Sequence, residues 1–117
     1  MMAHRKTLLI ALLRAERPVR NILSELDKFP WDSTEELVTL TPQHLVNVLS
    51  RFLTGDLSDA NVGAWASAVE GREDIGFESA FQDVLKQCVF QLATPELGYS
   101  LTKEFAQEWI DRLTRLA

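Results

Sequence analysis

One cysteine, Cys88, stands in 117 residues. A single thiol excludes an internal disulfide framework and a cysteine-based zinc ribbon. Five glycines and four prolines are too few for a collagenous or low-complexity chain. Two histidines, His4 and His44, lie far apart, and neither has a His, Cys or carboxylate partner at ligand spacing. No apolar run reaches the roughly 18–20 residues needed to cross a bilayer. The start, His4-Arg5-Lys6 followed by Thr7 to Leu13, has the outline of a signal peptide. Arg14, Glu16 and Arg17 follow at once without a small-residue cleavage site. A core helix and a cytoplasmic protein are therefore expected.

What is present is a chain that is 46% hydrophobic and 25% charged. A chain of this length buries about two-thirds of its extended surface, enough for one core. One domain over residues 1–117 is expected. Apolar residues recur at helical spacing nearly end to end. The first helix is predicted over about 3–16, with Leu8, Leu9, Leu12 and Leu13 on one side. Pro18 opens a second, whose Val19, Ile22, Leu23 and Leu26 form one buried stripe. Ser33 and Glu36 have capping-box spacing and predict a turn of helix over 33–40, with a short extended segment as the alternative.

Thr41-Pro42 starts a helix over 42–54, burying Leu45, Val48, Leu49, Phe52 and Leu53. Gly55 is placed for a left-handed cap, and Ser58 caps a helix over 59–70 that points Val62, Trp65, Ala66 and Val69 inward. Gly71 is expected to close that helix in the same way. Residues 72–78 read as a charged loop. Ser79 and Gln82 repeat the capping-box spacing before a helix over 80–93 with Phe81, Val84, Leu85, Cys88, Val89 and Leu92 inward. Thr102 caps the last, over 103–116. The fold expected is all-α, a bundle of about six short helices.

Catalytic signatures are missing. No Gly-x-Ser-x-Gly, Gly-x-Gly-x-x-Gly or Walker-type loop occurs. Glu104, Glu108 and Asp111 share one helix face, which solvent would leave without the divergent pKa values that acid catalysis requires. Cys88 reads as a buried small hydrophobe. The helices 42–54 and 59–70 have helix-turn-helix lengths, but the second carries no Lys or Arg for phosphates. No cofactor, metal, nucleic acid or membrane is expected as a partner.

Charge is the remaining signal. The net charge is −5, unevenly spread. Bases outnumber acids in residues 1–28. Residues 29–79 carry nine acids (Asp32, Glu35, Glu36, Asp56, Asp59, Glu70, Glu73, Asp74 and Glu78) against Arg51 and Arg72. Acids near helix N-termini are favoured locally by the macrodipole. The same residues gathered on one exterior side would attract a basic partner. Trp31 adds a frequent interface anchor in this stretch, whereas the spacing of Trp65 favours the core. Arg72 reads as structural, tying carboxylates or helix-end carbonyls together.

The stretch Leu49-Ser50-Arg51-Phe52-Leu53-Thr54-Gly55-Asp56-Leu57-Ser58 is similar to small bacterial immunity proteins of the colicin D immunity type. Trp65-Ala66 and Arg72-Glu73-Asp74-Ile75-Gly76-Phe77-Glu78 also resemble a family of small bacterial proteins. The likeness covers residues 45–78. It implies an antiparallel helical bundle that neutralises a toxin, commonly a nuclease, by occupying its basic cleft.

The expectation is thus a non-enzymatic module that binds a basic toxin domain through Trp31, Asp32, Glu35, Glu36, Asp56, Asp59, Glu73, Asp74 and Glu78, as monomer or homodimer. The alternative is a small helical scaffold or regulatory subunit with an apolar homo-oligomeric interface. An enzyme using pocket carboxylates is a third reading.

Overall fold

The computed structural model describes residues 5–29 and 36–116. Six α-helices dominate: α1 (Arg5–Arg14), α2 (Val19–Leu26), α3 (Pro42–Leu53), α4 (Asp59–Glu70), α5 (Gln82–Ala93) and α6 (Lys103–Leu116). Among the described residues the fold is all-α apart from a two-stranded ribbon. Strand β1 (Val38–Leu40) pairs in parallel with β2 (Ile75–Phe77), in the register Val38–Ile75, Thr39–Gly76 and Leu40–Phe77. Parallel strands need a crossover, and here α3 and α4 supply it.

The helix boundaries follow local chemistry. The N–H of Thr41 donates to His44 Nδ1 at 3.0 Å, and Pro42 fills the first helical position of α3. His44 takes the role that Glu or Gln plays in a capping box. Ser58 and Asn61 exchange reciprocal bonds of 3.0 Å at the start of α4. Thr102 Oγ1 accepts the Phe105 N–H at 3.1 Å. Gly55 adopts the left-handed conformation at φ +86°.

Four expectations are corrected. The described part of 33–40 is extended instead of helical. Leu37 N–H donates to the Asp74 carbonyl at 2.8 Å, so pairing with a distant segment overrides the local helix signal. Residues 72–78, read as a loop, contain β2. Gly71 ends α4 at φ −82°, without a left-handed cap. The chain tightens there, with Arg72 N–H donating to Val69, instead of reversing. The Ser79–Gln82 spacing likewise gives a 3₁₀ turn, Ser79–Phe81, with no side-chain cap, and α5 begins at Gln82. The Glu78 N–H is already committed to the Leu40 carbonyl at 2.9 Å.

One contiguous core includes Leu9, Leu12, Ile22, Leu45, Leu49, Trp65, Leu85 and Leu113, all essentially inaccessible. α3 packs most extensively on α6 and α4 on α5, while α1 touches α2, α3, α4 and β1. Trp65 lies at the centre. Its Nε1–H donates to the Leu12 carbonyl at 2.7 Å, joining α4 to α1. A buried indole N–H left unmatched costs about 1–3 kcal/mol, so this bond fixes the ring as well as the helix pair.

A second tie lies at the α1 terminus. Ala15 is left-handed at φ +51°, a conformation that a Cβ disfavours. Arg51 Nη1 donates to the Ala15 carbonyl at 2.8 Å and to the Arg14 carbonyl at 3.3 Å. These are carbonyls that a helix end leaves without partners. Trp65→Phe should keep the fold but lower unfolding stability by about 1–3 kcal/mol, measured by urea denaturation. An unchanged midpoint would remove the indole bond from this account.

Candidate functional site

The nine residues expected at a contact surface have different fates. Trp31, Asp32 and Glu35 lie outside the described residues. The other six are not gathered at one place. Asp56 and Asp59 sit at the N-terminal end of α4. Glu73 and Asp74 follow its C-terminal end. A twelve-residue helix separates them by about 18 Å.

Asp74 is a correction. It is 1% exposed and is not a surface acid. A buried carboxylate survives only where charge-bearing donors replace water. Arg72 Nε donates to Oδ1 at 2.9 Å and Arg72 Nη2 to Oδ2 at 3.0 Å, a two-pronged grip. Arg5 Nε donates to Oδ2 at 2.9 Å from the first residue of α1. Arg5 Nη2 lies at the same distance, as a charge contact without hydrogen-bond alignment. Burial raises the Asp74 pKa, but the hydrogen bonds and charges of Arg72, then of Arg5, outweigh it and hold the carboxyl below its ordinary 3.8. Arg72 is structural, as expected, but it grips the one carboxylate of Asp74 and does not tie two carboxylates together. The share taken by Arg5, 69 residues away, has no local sequence signal.

Asp56 is also engaged. Arg51 Nε donates to its Oδ2 at 2.6 Å while the same guanidinium caps α1. Asp59 is exposed, and its Oδ1 accepts the Ala60 N–H at 2.8 Å, which suits an acid in the first turn of a helix.

Glu36, Glu73 and Glu78 remain, and they surround the ribbon. Glu36 is exposed, and its carboxylate lies across Gly76, filling the space that a side chain at 76 would take. Glu73 is exposed just before β2, and Glu78 is half-buried just after it. Among the described residues none of the three forms an ion pair. Lys86, from α5, lies over the ring of Phe77 on β2, 5.8 Å from its centroid.

The groups with shifted proton affinity are structural. Burial pushes the Cys88 thiol far above its usual range, against a smaller opposite pull from Arg112. Burial first, and the Arg14 charge second, lower the His44 pKa below 6.5. A backbone N–H can only donate, so the bond from Thr41 requires an unprotonated Nδ1 on His44. His44 is thus half-buried and serves as a helix cap. No three His, Cys, Asp or Glu side chains among the described residues converge as metal ligands. No described helix is long and apolar enough to cross a membrane.

Compared with family models, curated proteins and solved structures, the chain matches none.

Two measurements check the electrostatics. Asp74→Ala leaves two guanidinium groups without their counter-charge and should cost about 3–5 kcal/mol in unfolding free energy. Because the folded pKa of Asp74 lies below 3.8, its contribution is complete above that pH and lost as the pH falls through the folded value. His44 has the same sense around 6.5: its contribution is complete above that pH and lost on acidification. His44→Gln retains an acceptor at the capping-box position. It should lose less stability than the wild type between about pH 7 and pH 5. Parallel stability–pH profiles of the two proteins would refute the role given to the imidazole.

Proposed function

We propose that this chain is a non-enzymatic protein-binding module whose acidic surface receives a basic partner. The carrying observation is that Glu36, Glu73 and Glu78 flank one ribbon without an ion pair among the described residues. The neighbouring Asp74, by contrast, is wholly taken up by two arginines. Unpaired carboxylates on a firm backbone speed encounter with a cationic surface and disfavour anionic ones such as nucleic acid. The lack of a nucleophile–base constellation in the sequence favours binding over catalysis, as does the structural use of Asp74 and His44.

Within that class, the resemblance over residues 45–78 favours an immunity-type inhibitor acting in the cytoplasm. Its acids would enter the basic substrate cleft of a nuclease toxin. Of the residues first expected at the contact, Asp74 is withdrawn. Asp56 is committed to Arg51, and Glu36, Glu73 and Glu78 form the centre.

The test uses the triple variant Glu36→Lys, Glu73→Lys and Glu78→Lys beside the wild type. Each is immobilised as bait in extract of the native host, at low and raised salt. The wild type should retain a basic protein, release it with salt and suppress its nuclease activity on re-addition. The folded triple variant should retain it at least about tenfold less well. A partner held equally by both proteins, or unaffected by salt, would contradict the acidic-surface reading.

A further inference from the structure

A trench runs along the outside of α4, away from the ribbon. Its floor is made by Ala60, Gly63, Ala64 and Ser67, and its far wall by Leu92 and Leu101. The four floor residues recur at i, i+3, i+4 and i+7, so one helix face is stripped to small side chains. Gly63 faces α5, where a Cβ would stand in ordinary contact, 3.7 Å from the Leu92 carbonyl. The cavity holds about 420 Å³. The turn Pro95–Leu97 forms part of the wall and ends on Leu97, which is 61% exposed. Phe90, on α5, is 41% exposed and packs edge to face on Tyr99 with ring centroids 6.3 Å apart.

The charge around this trench has one sign. Asp59 and Glu96 line it, and among the described residues no Lys or Arg does. Eleven residues are close to three helical turns, so Glu70 continues the Asp59 edge of α4 about 16 Å further on. None of the three carboxylates forms an ion pair among the described residues.

We propose that this trench is the docking site for a cationic amphipathic helix of another protein. The proposal rests on the reading of the chain as a protein-binding module and specifies the structure that it would grip. Three features select this occupant. A floor of methyl groups and backbone lets a helix lie close, while supplying few of the directed polar groups that orient a small molecule. Along α4 the trench runs from Asp59 to Ser67, about 12 Å, room for a little over two turns of helix. Carboxylates on both rims complement Lys or Arg flanking an apolar stripe, the usual form of helix-in-groove recognition. A second copy would have to bring its own charge of −5 to an acidic rim, which disfavours self-association here.

The probe is a synthetic Leu/Lys amphipathic peptide of about 18 residues, about 27 Å long as a helix. It is titrated into the ¹⁵N-labelled full chain and followed by NMR. Shifts should concentrate in residues 59–67 and 92–101 and weaken with salt. Ala64→Arg, at an exposed helical position, should weaken binding at least about tenfold, with circular dichroism confirming the fold. Glu70→Lys with Glu96→Lys should do the same, whereas Glu73→Lys should leave the peptide affinity unchanged. Absence of shifts, or shifts centred on Glu36, Glu73 and Glu78 that Ala64→Arg does not alter, would overturn the trench. Either result would leave the acidic-surface reading to its own bait experiment. A dimer in sedimentation that Ala64→Arg dissociates would assign the trench to a second copy and also overturn the proposal.

Discussion

The rest of the structure depends on the removal of one carboxylate from water. Asp74 sits inside, between the first residue of α1 and the end of α4, and only two guanidinium groups make that position tenable. Its side chain holds Arg5 and Arg72. Its carbonyl accepts the N–H groups of Leu37 and Val38 at 2.8 and 3.3 Å, which sets the register of the ribbon. One residue therefore joins α1, the connection after α4 and β1. Replacing such a triad by apolar groups of similar volume can be neutral or stabilising, but removing a single member is not. The value of the arrangement lies in fixing which segments meet.

That arrangement divides the acids of the central segment into two kinds. Asp74 and Asp56 are answered by arginines that also hold the fold: Arg72 and Arg5 in one case, Arg51 in the other. Arg51 stabilises the left-handed end of α1 through the Ala15 carbonyl while it holds Asp56. The basic N-terminal segment is thus partly an internal counter-charge. Glu36, Glu73 and Glu78 around the ribbon, Asp59 and Glu70 on α4, and Glu96 in the turn facing it stay at or near the surface. The negative charge that exceeds the needs of the fold is what a basic partner would meet.

The helices were legible because their signals are local. Ser58, Thr102 and the Thr41-Pro42 pair mark starts, Gly55 marks a stop, and apolar spacing marks the buried faces. The role of Arg72 was legible because its carboxylate lies two residues away. The ribbon was not. Three-residue strands are too short to show alternation, and β1 pairs with a segment 37 positions later, Val38 with Ile75. The interior position of Asp74 was hidden for a related reason. In sequence it is one acid beside Glu73 and near Glu78, and only the arrival of Arg5 from the other end of the chain separates it from them. The trench escaped notice because its floor is made of residues that carry no chemistry of their own.

The most direct test of this account is an NMR pH titration that follows the side-chain carboxyl carbon of Asp74 in the folded wild-type protein. The clamp predicts a midpoint below 3.8, with the carboxylate ionised for as long as the fold persists on acidification. A midpoint at or above the ordinary aspartate value would contradict it. The two arginines would then not be what keeps this charge inside.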